Sequence, residues 1–112
     1  MAAPADQDLT IVRGDTETLV VTMTTDGSTP IDITGRTYRA QIRQSQDSPT
    51  IKGSFTCTVD DAANGVITCV LNATDSATLP VGLGFWDLEE NASGVITTVM
   101  SGTVTVLADV TR

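Results

Sequence analysis

The sequence predicts an all-β fold from its composition and from the spacing of its turns. Its 112 residues include 20 Thr, 12 Val and 7 Ile, and β-branched residues pack well on a pleated strand but crowd the turns of a helix. Clusters of Gly, Pro, Asp, Asn and Ser interrupt the chain at intervals typical of strands. These turn signals lie at residues 26–30, 34–35, 47–49, 64–65 and 93–94.

Seven strand-like segments lie between the turns, and several of them alternate polar with apolar side chains. They cover residues 9–12, 18–24, 37–43, 55–60, 66–71, 84–90 and 95–107. The alternation is cleanest in segment 37–43, where Tyr38, Ala40 and Ile42 are predicted to face the core. About seven strands in roughly 100 residues is the count of an immunoglobulin-like β-sandwich.

Three further features describe the organisation of this predicted sandwich. The only helical segment expected covers about residues 73–79, because Asn72 or Thr74 can cap it and Pro80 ends it within two turns. Gly102 interrupts the last strand, which indicates a bulge or a change of partner strand. Residues 1–7 are predicted to form a flexible leader, and residues 8–112 a single domain.

The two cysteines are predicted to face each other across a hairpin that closes at Asn64 and Gly65. Cys57 then lies directly opposite Cys69, an arrangement that suits disulfide geometry poorly. Two reduced, buried thiols acting as small hydrophobic side chains are the preferred interpretation. A cross-strand disulfide and a reactive or metal-binding pair are the alternatives.

Composition argues against several classes of function. Fourteen acidic residues against six basic ones give a formal net charge of -8, and His is absent. An acidic surface repels phosphate backbones, so no nucleic-acid partner is expected. The lack of His removes His-based catalytic triads and most zinc sites. No apolar run approaches the roughly 20 residues of a membrane span, and residues 1–6 lack the features of a signal peptide.

Two kinds of recognition motif occur, and both have a simpler structural explanation. Arg13, Gly14 and Asp15 spell an integrin-type tripeptide, but they join two predicted strands with no spare length, so a tight turn that needs Gly is expected. N-glycosylation patterns begin at Asn72 and Asn91. Without a secretory signal, they indicate only that Asn is favoured at strand ends.

Two acidic clusters are the remaining candidates for chemistry. Asp87 and Glu89 share one face of a predicted strand, but a glycosidase needs one protonated and one ionised carboxyl group. An exposed strand offers no pocket that separates their pKa values. Asp60, Asp61 and Asn64 form a candidate calcium-binding turn without a recognised ligand spacing. The sequence therefore assigns no catalytic, cofactor-binding or metal residue, and neither an enzyme nor a cofactor is expected.

A series of short segments carries a family resemblance through its order and spacing. The segments are LTIVRGDT at 9–16, PIDITGRT at 30–37, NGVI at 64–67, LNATDSATLPVG at 71–82, WDLE at 86–89, SGVITTVMSGTVTV at 93–106 and DVT at 109–111. This string resembles the immunoglobulin-like N-terminal domain of the phage baseplate upper protein family. It is also similar to short stand-alone virion proteins of tailed phages built on the same module. The resemblance implies a helical crossover between sheets, with Trp86 and Leu88 as core anchors and no catalytic residue.

The resemblance implies a non-enzymatic structural protein of a tailed bacteriophage virion. It would be made in the cytoplasm of the host bacterium and act in tail or baseplate assembly through protein–protein contacts. The expected partners are other virion proteins and further copies of the chain. Strand 95–107 and the edge at 9–12 are the predicted contact surfaces, because unpaired edges accept another strand.

Two alternative functions are compatible with the same sequence. One is a head-decoration, neck or head-tail connection protein of the virion. The other is a receptor- or carbohydrate-binding adhesin module, which requires exposed aromatic side chains or a carboxylate-rich loop.

Overall fold

The computed structural model describes residues 5–25 and 29–111 of the chain, and it confirms the predicted all-β fold. In these described residues, the regular structure consists of eight strands, one α-helix and a short 3-10 turn at Ala62–Asn64. The strands are β1 (Ala5–Asp6), β2 (Leu9–Val12), β3 (Glu17–Thr22), β4 (Thr37–Arg43), β5 (Gly53–Asp61), β6 (Val66–Leu71), β7 (Gly82–Ala92) and β8 (Val95–Leu107). The helix is α1 (Ala73–Ser76). Residues 26–28 of the first predicted turn lie outside the described residues.

The strands form two layers that share β5. The first layer contains β8 between β7 and the parallel strands β1 and β2, and continues through β4 to the start of β5. Residues 53–55 of β5 pair with β4, whereas residues 56–61 pair with β6. The second layer continues from β6 to β3. Because β5 pairs with β4 at its start and with β6 along the rest of its length, the two layers belong to one continuous hydrogen-bonded sheet.

The helical crossover is present but shorter than predicted. The Asn72 side chain caps α1, since its Oδ1 accepts a hydrogen bond from the Asp75 backbone amide at 2.8 Å. Within residues 73–79, only Ala73–Ser76 is α-helical, and the amides of Thr78 and Leu79 then form turn hydrogen bonds to the carbonyls of Asp75 and Ser76. The segment carries the chain from β6 in the second layer to β7 in the first, as a crossover between sheets.

The core lies between the two layers and is built from the inward positions of the alternating strands. Its buried apolar residues are Ile11, Val21, Ile33, Ala40, Ile42, Phe55, Ile67, Cys69, Leu71, Leu79, Trp86, Leu88, Val104 and Val106. Trp86 and Leu88 are buried as predicted, and the Trp86 ring lies 6.2 Å from the ring of Phe55. Burying one large apolar side chain contributes about 1.5–3 kcal/mol, so this cluster is the main source of stability.

The prediction of a flexible leader over residues 1–7 was wrong for residues 5–7, which belong to the first sheet. β1 pairs in parallel with Met100 and Ser101, and the Gln7 amide donates to the Ser101 carbonyl at 2.9 Å. Local patterning misses this pairing because a two-residue strand has no periodicity of its own. Residues 1–4 lie outside the described residues.

Gly102 marks a change of partner strand, one of the two outcomes that the sequence indicated. The parallel neighbour of β8 is β1 at residues 100–101 and β2 at residues 104–107. Between them, the Gln7 carbonyl lies over Gly102, where a Cβ atom would come within 2.1 Å of its oxygen. The Trp86 indole donates to the same oxygen at 2.7 Å. The bulge of this hairpin lies elsewhere, opposite Leu88 and Glu89.

Candidate functional site

The strand edges differ from the prediction that all of strand 95–107 is an open edge. Residues 100–101 and 104–107 of β8 are covered by β1 and β2, so the prediction was wrong for them. Among residues 5–25 and 29–111, no strand pairs with the outer side of residues 95–99. The predicted edge at residues 9–12 is present, since β8 is the one strand of the described residues that pairs with β2.

Exposed apolar side chains lie at both ends of the β7–β8 hairpin. Val95 and Ile96 near its turn are 65% and 53% exposed, and Leu83 and Leu107 at its base are 60% and 45% exposed. Large apolar side chains at strand edges are typical of surfaces that another chain covers.

A polar groove runs across the outer face of the first sheet. It encloses about 520 Å³ and is lined by Arg39 and Arg43 of β4, by Phe85, Asp87 and Glu89 of β7, and by residues of the β1–β8 edge. Most of these side chains are engaged with one another or with the backbone. Arg39 contacts Glu89 at 3.1 Å, and Arg43 donates to the Ser48 carbonyl at 2.8 Å.

The carboxylate pair lies where the sequence predicted, on one face of β7, but its surroundings differ from the prediction. Asp87 lines the groove, and its partial burial, followed by the charge of Glu89, raises the pKa of the Asp87 carboxyl group. Glu89 forms an ion pair with Arg39. The groove can donate and accept hydrogen bonds to a polar partner.

A buried carboxylate, that of Glu90, lies on the opposite face of the same strand. Glu90 is only 8% exposed, and the Tyr38 hydroxyl donates to its Oε2 at 2.6 Å. Arg36 Nη1 donates to the same carboxylate at 3.3 and 3.4 Å. A buried carboxylate is costly unless it is paired and hydrogen-bonded, so Tyr38 and Arg36 are what allow Glu90 to remain in the core.

We expect Tyr38 to ionise well above its ordinary pKa of 10.0, because its burial and its hydrogen bond to Glu90 both raise the pKa. The stability that Tyr38 contributes is present below its pKa of about 10 in the unfolded chain. It is lost as the pH rises through the higher pKa of Tyr38 in the folded protein. Tyr38 is the only Tyr in the chain, so absorbance titration of tyrosinate reports it directly. Titration of the native protein at the same pH as the urea-unfolded chain would contradict this expectation.

The Arg13–Asp15 tripeptide forms the tight turn that the sequence predicted. The Asp15 amide donates to the Val12 carbonyl at 3.0 Å, and Gly14 adopts a φ of 87°, a conformation that favours glycine. The Gly14 amide donates to Ser76 Oγ at 2.8 Å. This turn is thereby attached to α1, and its role is to connect the two sheets.

Replacing Ser76 by Ala is expected to lower the free energy of unfolding by about 1–2 kcal/mol, because Ser76 is fully buried and its hydroxyl accepts the Gly14 amide. Chemical denaturation measures the change. Thr74→Ala, an exposed substitution in the same helix, is the control and should be nearly neutral. Equal losses in both variants would show that the Ser76–Gly14 hydrogen bond contributes nothing specific.

The two cysteines are directly opposite each other in the β5–β6 hairpin, as predicted, and both are free. Cys69 is fully buried and Cys57 is half-buried. The hydrogen bond from Cys69 lowers the pKa of the Cys57 thiol, and the same bond together with burial raises the pKa of the Cys69 thiol. Both thiols pack against the core as small hydrophobic groups.

The candidate calcium-binding turn does not converge on a cation position. Asp60 accepts a hydrogen bond from the Thr68 hydroxyl, and the Asp61 carboxylate accepts one from the side-chain amide of Asn64 at 2.9 Å. Within the described residues, no three or more Cys, Asp or Glu side chains lie close enough together to hold a metal ion. Asn91 likewise has a local structural role, since its Oδ1 accepts the Gly94 amide in the β7–β8 turn at 2.8 Å.

The fold and its surface define a small β-sandwich domain with open strand edges and a polar groove. In the described part of the chain, no helix is long and apolar enough to cross a membrane. No family model matches the chain, and no curated protein matches it.

A solved structure shares this fold over nearly the whole chain. It is the N-terminal domain of phage TP901-1 ORF48, with a TM-score of 0.56 and 16% sequence identity. The match covers 96% of this chain and 91% of that one. At this identity, the likeness shows a common architecture.

Proposed function

We propose that the chain is a non-enzymatic structural protein of a tailed bacteriophage virion, acting in the tail or baseplate through protein–protein contacts. The observation that carries this proposal is the fold shared with a domain of a phage protein over 96% of the chain. The order of the sequence segments independently resembles phage baseplate modules. Fold alone does not define function, so the particle itself must be tested.

The surface supports a role in assembly. The β2 edge and the exposed Val95, Ile96 and Leu83 side chains offer backbone and apolar contacts to another chain. The groove on the outer face of the first sheet adds the polar side chains of Arg39, Arg43 and Asp87 to this surface. The net charge of -8 opposes non-specific aggregation of the free chain before it meets a complementary surface.

The direct test is immunogold labelling of particles produced from the genome that encodes the chain, with peptide mass spectrometry of the purified particles. The proposal predicts chain-derived peptides in the particle and gold at the tail or baseplate. Gold at the capsid or neck would instead establish the head-decoration or connector alternative.

Two further measurements separate the remaining alternatives. Particles from an amber mutant in the gene should lack a complete tail or baseplate if the chain acts in assembly. Complete particles that fail only to adsorb to the host would favour a receptor-binding module. Purified particles without peptides of this chain would refute a virion role of any kind.

A further inference from the structure

The second sheet ends at β3, whose outer edge is regular and is left open by the described strands. β3 pairs with β6 through its whole length, and within residues 5–25 and 29–111 no strand pairs with its other side. Proteins commonly protect such edges with Lys, Pro or a bulge. Residues 18–22 contain neither Lys nor Pro, and their pairing with β6 is unbroken.

The hydrogen-bonding phase of β3 defines which backbone groups face this open edge. The Met23 amide donates to the Gly65 carbonyl at 2.8 Å, in line with the register that pairs Thr22 with Val66. In an antiparallel pair, the hydrogen-bonded positions alternate. The odd-numbered residues of β3 therefore face β6, and Thr18, Val20 and Thr22 direct their amides and carbonyls outward.

We propose that this edge binds the same edge of a second copy of the chain, in an antiparallel pairing whose two-fold axis passes through Val20. Val20 then pairs with Val20 of the second copy, and Thr18 with Thr22 of the second copy. All of these positions carry outward-facing backbone groups, so each pair exchanges two hydrogen bonds. The second sheets of the two copies join into one sheet of six strands, three from each copy.

The side chains favour a second copy as the occupant of this edge. The segment Thr-Leu-Val-Val-Thr at residues 18–22 is nearly symmetric about Val20, so an isologous contact there places Thr opposite Thr and apolar side chains opposite apolar ones. Val20 is 62% exposed in the single chain and is covered by its own copy in the pair. Leu19 lies opposite Val21 of the second copy, so apolar inward positions match.

Charge is compatible with self-association at this edge, although the chain as a whole has a net charge of -8. Residues 18–22 carry no charge, and Glu17 falls opposite Met23 of the second copy, so no like charges are opposed. The β2 edge is shorter, with four residues, and is flanked by Asp8 and Arg13. This inference rests on the edge geometry and stands whether or not the chain is a virion protein.

Light scattering of the purified chain tests the proposal. We expect a species of twice 11.7 kDa that dissociates on dilution. In Val20→Lys, two ammonium groups meet at the axis, and the dissociation constant should rise about tenfold or more. Thr58→Lys places the same charge on an exposed position of β5, two strands from the edge, and should leave the dimer intact. Circular dichroism confirms that both variants are folded.

Hydrogen exchange locates the contact. The amides of Thr18, Val20 and Thr22 should become protected only at concentrations where the dimer forms, whereas those of Leu19 and Val21 should be protected throughout. A monomer at every concentration would overturn the proposal and leave the edge to a strand of another protein. An oligomer that Val20→Lys does not weaken would equally overturn it.

Discussion

Replacing Gly102 by Ala is expected to lower the free energy of unfolding by roughly 3 kcal/mol. The new Cβ atom would lie 2.1 Å from the Gln7 carbonyl oxygen, a backbone atom that cannot swing away as a side chain can. The N-terminal segment must therefore move off β8. That movement also breaks the 2.7 Å hydrogen bond from the Trp86 indole and leaves a buried donor unsatisfied, which costs about 1–3 kcal/mol in addition to the overpacking.

Thermal unfolding measures this effect, and we expect the midpoint to fall by about 10 °C or more. Trp86 is the only Trp in the chain, so its fluorescence reports whether the indole has lost its partner. Ser101→Ala, at the adjacent outward position of β8, is the matched control and should be close to neutral. Wild-type stability and unchanged Trp fluorescence in Gly102→Ala would show that the Gln7 segment does not lie over Gly102.

Replacing Glu90 by Ala should cost about 2–3 kcal/mol, because it leaves the Tyr38 hydroxyl and the Arg36 guanidinium without their shared acceptor in a mostly buried site. The pKa of Tyr38 should also fall toward its ordinary value, since one cause of its rise is the hydrogen bond to Glu90. Denaturant unfolding and tyrosinate absorbance measure the two effects on the same samples.

Glu89→Ala provides a matched control, one residue away on the opposite face of β7. Its partner Arg39 is largely exposed, and exposed ion pairs contribute about 0–1 kcal/mol. The Tyr38 titration should be unchanged in this variant. Equal stability losses in Glu89→Ala and Glu90→Ala would mean that the buried position of Glu90 and its bonds to Tyr38 and Arg36 contribute no more than an exposed ion pair.

Local patterns in the sequence predict the elements of this fold well. The alternation of residues 37–43 corresponds to β4, and the pairing of Cys57 with Cys69 follows from symmetric closure of a short hairpin. Both features depend on contacts between residues close in sequence, where side-chain period and turn chemistry determine the register.

The features that were missed depend on contacts between distant parts of the chain. The Gln7 carbonyl lies over Gly102 and accepts a hydrogen bond from the Trp86 indole. No window of neighbouring residues therefore reveals why position 102 needs Gly. Ser76 reaches back to Gly14 in the same way.

Glu90 is different, because a local signal for it existed. It follows Trp86 and Leu88 at two-residue spacing, which places it on the core face of the strand. A charged residue at such a position indicates a buried pair whose partners lie elsewhere. The identity of those partners, Arg36 and Tyr38, required the register between β4 and β7.

The parallel pairing of the N-terminal strands with β8 also determines how the domain responds to tension. The chain enters β1 beside Met100 and leaves β8 beside Val12, so a pull on the two ends of the domain acts along the strands in opposite directions. The ladder between β2 and β8 is then loaded in shear. Its hydrogen bonds must break together, whereas a hairpin pulled from its open end loses them one at a time.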